Sequence, residues 1–278
     1  MIEKHERILN YFRRDYVLKG VNSAKKKDGT NYYRSSITFQ NKHISLGGFS
    51  SEELAHKAYL EASALTLDFT LTLSSYSSNT GILPFEKWVS LINFRDNKIY
   101  CKTPIYIKSN YFIYYMTPFI QLKFDVDDLF YYSKRTISKR GGHLFVADYG
   151  MQVTLLSRYG IKNFAVINRD YRFINGDTSD FRYGNIEIIN PYYGVTKIIQ
   201  KGLPVYEAKI QINGSYLIGR YQTPEEAAVA YNKAAKLLWE KGLQKSYTLN
   251  YINTLDSIAY AALYHKIRIS KKIRDYQI

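Results

Sequence analysis

"YEAKIQINGSYLIGRYQTPEEAAVAYNKAA", residues 206–235, reads as two strands followed by a helix. EAKIQI (207–212) alternates polar and apolar residues with the period of a half-buried strand. SYLIGRY (215–221) reads as the next one, and Asn213-Gly214 between them is turn chemistry. Thr223-Pro224-Glu225-Glu226 then supplies an N-cap, a proline at the first helical position and a capping-box glutamate. Ala227, Ala230, Tyr231, Ala234 and Leu238 fall on one helical face, and the small alanines let that helix lie close on a short sheet.

The same plan recurs near the other end, in "YRSSITFQNKHISLGGFSSEELAHKAYLEAS" (33–63). With one residue gapped near Gln40, Gly47 meets Gly219, Phe49 meets Tyr221, Glu53 meets Glu225, Ala58 meets Ala230 and Tyr59 meets Tyr231. Upstream, KGV (19–21) parallels YGV (193–195). Such spacing indicates a duplication, and a duplication fixes the architecture early. RSSITF and HISLGGF are the expected strands of the first copy, Asn41-Lys42 its turn, and Ala55, Ala58, Tyr59 and Ala62 its helix face. A linker (74–81) and a helix (84–97) close that copy, and a strongly basic helix (257–276) closes the second. The expected fold class is α+β: two modules, each a three-stranded antiparallel sheet plus a helix, flanking a small α+β domain. The expected domains span 1–99, 100–190 and 191–278.

A helix on one side of each sheet leaves the other side open. Strand alternation places Arg34, Ser36 and Thr38 there in the first copy, and Glu207, Lys209 and Gln211 in the second. A solvated face carries the same pattern. The balance is tilted by lysines expected beside the faces: Lys25, Lys26 and Lys27 in AKKKDGT, Lys197 and Lys201 in KIIQKG. Lys42, His43 and Arg220 complete the candidate contact set of the two sheets. A ribbon of two or three strands fits the major groove, where such side chains reach base edges.

Charge points the same way. Thirty-nine Lys and Arg against 24 Asp and Glu give +15, a field that attracts polyanions. With 46% hydrophobic residues the chain has enough material for packed cores, so wholesale disorder is excluded. The single cysteine, Cys101, excludes an internal disulfide framework and a cysteine-built zinc site. No apolar run reaches membrane-spanning length, and MIEKHERILNYFRRDY at the start is too charged for a secretory signal. The expectation is a cytoplasmic, nucleoid-associated protein with no cofactor, metal, membrane or small-molecule partner.

Both copies resemble the Apetala/ethylene-response-factor DNA-binding domain. The resemblance rests on YGV followed by 206–235 and, more weakly, on KGV followed by 33–63. It implies a three-stranded sheet reading the major groove with a helix behind. Asn22 and Thr196 stand where that family usually has an arginine, so its target sequence does not carry over. Between the copies, INGDTSDFRYGNIEIIN (174–190) resembles the HNH homing endonucleases through Asn175, Gly176, Asp177, Asp180, Arg182 and Asn185. HLFVADYGMQVTLLSRYGI (143–161) resembles the hairpin that leads to that family's first catalytic histidine.

The family's chemistry needs one histidine as general base and further side chains on a divalent metal. The resemblance puts the base at Leu156 or Ser157 and the metal-proximal histidine at Phe173, neither of which can serve. His143 lies about fourteen residues upstream of the expected place and reads better as structural. Asp170, Asp177 and Asp180 either gather a metal or act as turn and capping residues. What persists is positive charge at Lys139, Arg140, Arg158, Arg169, Arg172 and Arg182. The expected function is therefore sequence-specific binding of double-stranded DNA, by a bacterial regulator or chromosome-associated factor derived from a homing endonuclease. The alternative is a metal-dependent HNH-like endonuclease with a rearranged active site.

Overall fold

The computed structural model describes residues 18–79, 81–148 and 150–277, so the charged N-terminal stretch read against a signal peptide lies outside the described residues. The chain forms two compact units, the first ending at Thr136 and the second beginning at Ile137. Every paired sheet in them is antiparallel. The α+β class expected from the pattern is what the structure has.

In the first unit, β1 (Val21–Lys25), β2 (Asn31–Phe39) and β3 (Lys42–Phe49) form a sheet in that order. Ile37, Ile44 and Leu46 are buried on one side of it, together with Ala58 and Ala62 of α1 (Glu52–Leu67). Ser51 caps that helix, its Oγ accepting from the Leu54 N–H at 3.3 Å. The β2–β3 turn is Gln40-Asn41, both in the left-handed region (φ 47° and 59°), one residue earlier than expected, and Lys42 already belongs to β3. Paired left-handed residues match the twist of a two-residue hairpin.

In the stretch expected as a linker, Ser74, Ser75, Ser77, Ser78 and Asn79 are exposed, but Tyr76 and the residues just after the stretch are tied to the unit. Tyr76 lies against Phe85 and Trp88, and Glu61 accepts from the Ile82 and Leu83 N–H groups and from Trp88 Nε1. It leads into α2 (Phe85–Asn97), whose buried Arg95 donates from Nη1 to the carbonyls of Leu65, Asp68 and Leu71 at the end of α1. Those carbonyls have no partner within the helix, so a buried guanidinium is held there on good acceptors.

The segment 100–190 is divided between the units. β4 (Ile105–Ile107), β5 (Tyr111–Tyr115) and β6 (Gln121–Asp125) build a second sheet in the first unit, followed by the short α3 (Leu129–Tyr132). Asn93 of α2 accepts from the Ile107 N–H, and Phe85 and Val89 of α2 bury against Ile113 and Tyr115. The apolar face of α2 is what draws this sheet away from the expected middle domain.

The second unit opens with the sheet of β7 (Ile137–Arg140), β8 (His143–Asp148) and β9 (Met151–Thr154). After a turn of 3-10 helix (Leu155–Tyr159), β10 (Tyr171–Phe173) pairs with β11 (Ile186–Ile188). The second copy follows as β12 (Val195–Gln200), β13 (Leu203–Gln211), β14 (Ser215–Tyr221) and α4 (Pro224–Glu240). Thr223 caps α4 as expected, accepting from Glu226 N at 3.1 Å, while the Glu226 carboxylate reaches one residue further back, to Gln222 N. The expected basic helix is two, α5 (Ser257–Lys266) and α6 (Lys271–Arg274). Between them Ile267 and Ile269 are buried, a period of two that suits an extended chain. Ser270 N donates to Ile218 O on the edge of β14 at 2.7 Å.

The duplication holds in register. Val21 pairs with Ser35 as Val195 pairs with Ala208, and both sheets carry a bulge beside the matching glycine, leaving Leu46 and Ile218 as the extra residues. Gly20 and Gly194 lie under Tyr59 and Tyr231, where an added Cβ would come within 2.1 Å and 2.3 Å of the rings. The backbone there is left-handed (φ 80° and 69°), so both demands are met by glycine alone.

Candidate nucleic-acid interface

Cross-strand partners point to the same side of a sheet, so the register sorts the candidate residues. In the first copy Arg34, Ser36 and Thr38 share the face opposite α1 with His43 and Ser45, through the pairs Ser36–Ser45 and Thr38–His43. Arg34 and Thr38 are exposed and Ser36 half-exposed. Tyr32 belongs to this face as well. Its hydroxyl accepts from Arg34 Nε at 2.8 Å, and the guanidinium lies 5.4 Å from its ring centre. The ring has room because Gly48 sits opposite, its would-be Cβ only 3.2 Å away. Strand alternation in the sequence is the signal that also places Tyr32 and Ser45 on this face.

Lys42 lies on the other side, with its ammonium 5.8 Å from the centre of the Tyr100 ring. It shares strand parity with buried Ile44, so it leaves the proposed reading face. Lys25 ends β1 on the parity of buried Val21, whereas Lys26 and Lys27 stand in the exposed β1–β2 turn.

In the second copy Glu207, Lys209, Gln211 and Arg220 do share the face opposite α4. Glu207 is only 8% exposed, so it is no freely projecting contact residue. One carboxylate oxygen meets Lys209 Nζ at 2.5 Å, and the other accepts from Arg220 Nε and Nη2 at 3.0 Å each. The Lys209 hydrogen bond, followed by that from Arg220, holds the Glu207 carboxyl below the usual range despite its burial. The trio is a fixed cationic fork with a net charge of one, and Gln211 beside it is exposed. Lys201 stands in the β12–β13 turn as expected. Lys197 does not: it is a β12 residue paired with Tyr206, on the helix side of the sheet with Val195. The sequence places it three residues into an apolar strand, and only the position of Gln200–Leu203 as the closing pair reveals it.

The motif over 174–185 forms a loop whose polar groups satisfy one another. Asp180 is buried and receives Arg182 through two hydrogen bonds, Nε–Oδ1 at 2.8 Å and Nη2–Oδ2 at 2.6 Å. Asn175 Nδ2 donates to Asp180, Asn185 Oδ1 accepts from Asn175 N, and Asp177 accepts from Ser179 N and Oγ. The Arg182 hydrogen bonds, outweighing burial, keep Asp180 ionised well into the acid range. Asp177 and Asp180 therefore serve the turn.

Phe173, where the resemblance wanted a histidine, is 8% exposed and meets Phe181 edge to face at 5.5 Å. Ser157 Oγ donates to Thr154 O within its own turn. Asp170 is buried, and although burial alone would raise its pKa, Arg169, the Val166 N–H and Lys162 together lower it. Among the described residues no group of three or more His, Cys, Asp or Glu is placed to hold a metal ion.

Three of the expected middle cations are paired with acids: Arg169 with Asp170 at 2.7 Å, Arg172 with Glu187 at 2.6 Å and Arg182 with Asp180 at 2.6 Å. Their charge is partly spent inside the unit. Lys139, Arg140 and His143 gather, all exposed, at the Gly141-Gly142 tip of the β7–β8 hairpin, and Arg158 is exposed on the 3-10 turn. No helix among the described residues is long and apolar enough to cross a membrane. No protein-family model matches the chain, and no curated protein or solved structure matches it.

Proposed function

We propose that the chain binds double-stranded DNA through the open faces of its two duplicated sheets, and that it does not cut what it binds. The carrying observation is the second copy's face, where buried Glu207 fixes Lys209 and Arg220 beside exposed Gln211. A cation held by a carboxylate is pre-aimed, which favours reading over mere attraction. The net charge of +15 supports a polyanionic partner, and the resemblance to the Apetala/ethylene-response-factor domain supports a sheet in the major groove. A role as a regulator or chromosome-associated factor follows from binding without cleavage. The packing of Phe173 and the turn role of Ser157 argue against the endonuclease alternative.

The test is selection of bound fragments from a random duplex pool, followed by salt titration on the winner and on an unselected sequence. A reproducible motif, bound more tightly than the unselected duplex across the titration, is the expected result. Equal retention of both would reduce the protein to a non-specific polycation binder.

A further inference from the structure

We infer that the far end of the β12–β13 ribbon is an apolar wedge that enters the stack of base pairs and bends the duplex. This rests on the DNA-binding reading above and adds to it an activity that the sheet face alone does not supply.

The ribbon stays paired to its tip: Ile198 with Val205, Ile199 with Pro204 and Gln200 with Leu203. Lys201 and Gly202 close it, both left-handed (φ 52° and 77°), so the end is a tight hairpin. By alternation Ile199 and Pro204 lie on the helix side, and Ile198, Val205 and Leu203 on the reading side. The end of the ribbon thus carries apolar side chains on both faces, with exposed Gln200 and Lys201 as the polar residues at its turn. Ile199 and Leu203 are each 67% exposed, and none of these five side chains belongs to the core of the unit. Ile198 and Val205 are half-buried, whereas packing gives no account of exposed Ile199, Leu203 and Pro204.

The other copy shows that the architecture does not require them either. Its β1–β2 ribbon ends at the pair Lys25–Asn31, with Lys26, Lys27, Asp28, Gly29 and Thr30 in the turn. The same structural position is charged in one copy and apolar in the other. Lysines still stand beside the apolar residues, at Lys197 and Lys201, and the fork of Glu207 and Lys209, further along β13, with Arg220 of the neighbouring β14 lies on the reading side. Cations around an aliphatic point suit a duplex, whose phosphates take the lysines while isoleucine, leucine or proline parts a base step.

The full chain is mixed with a short duplex carrying its selected site, dye-labelled at both ends or substituted with aminopurine at successive positions. Wild type should draw the ends together as a bend of roughly 20–90° does, and one position should brighten by about twofold or more as it unstacks. The double variant Ile199→Ser, Leu203→Ser should keep its circular dichroism, since both side chains are exposed, and still retard the duplex while losing both signals. A wild-type complex with a straight, fully stacked duplex overturns the wedge and leaves DNA reading intact. Failure to retard any duplex removes the DNA-binding reading, and this inference with it. A third mixture holds vesicles of anionic phospholipid; sedimentation with them that depends on Ile199 and Leu203, beside a straight duplex, overturns the proposal in favour of a lipid surface.

Discussion

Glu207 is the one acid on the second sheet's open face, and its two partners explain its place there. In the first copy the matching position is Arg34, stacked on Tyr32, and the position matching Arg220 is Gly48. The arginine therefore comes from the central strand in one copy and from the third strand in the other, so the two faces carry different donors. Glu207→Gln removes a charge and unties Lys209 and Arg220. Affinity for random duplex should rise and the slope of log affinity against log salt should steepen by roughly one. The preference for the selected site should fall, because neither cation is held any longer. Salt titrations of both proteins on both duplexes measure this, and an unchanged slope with unchanged preference would mean that the fork faces solvent alone.

At the scale of elements, the polar residues of the 174–185 loop have structural work within it. Asn175, Asp180, Arg182 and Asn185 hold the turn, and Phe173 packs beneath it. Introducing histidines should not create a nuclease: Ser157→His with Phe173→His should leave supercoiled DNA intact in magnesium or manganese and cost about 2–4 kcal/mol in urea unfolding. Metal-dependent nicking by that double variant would show that only the imidazoles were missing.

The two sheet-and-helix modules were legible because their periods, caps and turns lie within thirty residues and occur twice. The side on which Lys42 and Lys197 fall was not, since it depends on where each ribbon closes. The break at 267–270 was hidden inside a run that also suits a helix, and only the edge of β14 decides it. The pairing of Arg172 with Glu187 depends on a register that joins residues fifteen apart. The transfer of β4–β6 to the first unit depends on the buried face of α2, which local pattern does not assign to a partner.

For the whole molecule, the proposal of two DNA-binding faces on one chain implies that the second contact is intramolecular. Separating the units between Thr136 and Ile137 respects the observed boundary, and either half should bind the selected site about 100-fold or more weakly than the intact chain. A second unit that binds as tightly alone would show that one face does all the work.

Stability carries its own signature. Burial pushes the phenols of Tyr221 and Tyr231 to about 12, against about 10 in an unfolded chain. The folded state thus favours the protonated phenols, a contribution complete below about pH 10 and lost as pH rises towards 12, on the order of 2 kcal/mol for each. Urea midpoints should be flat from neutrality to about pH 9 and fall steeply above about pH 10.

The ribbon that ends in Ile199 and Leu203 also runs along the outer strand of its sheet. VTKIIQ (195–200) is rich in residues that zip one protein to another, and its guards are few: Lys197 in the middle, and the Asn190 side chain, which accepts that residue's N–H. Mutual repulsion at +15 keeps neighbouring molecules apart in dilute buffer. Concentrated salt, the usual means of stripping nucleic acid from a preparation, screens that repulsion while strengthening apolar contact, so the cleaned protein should be at its most prone to precipitate at the step that purifies it.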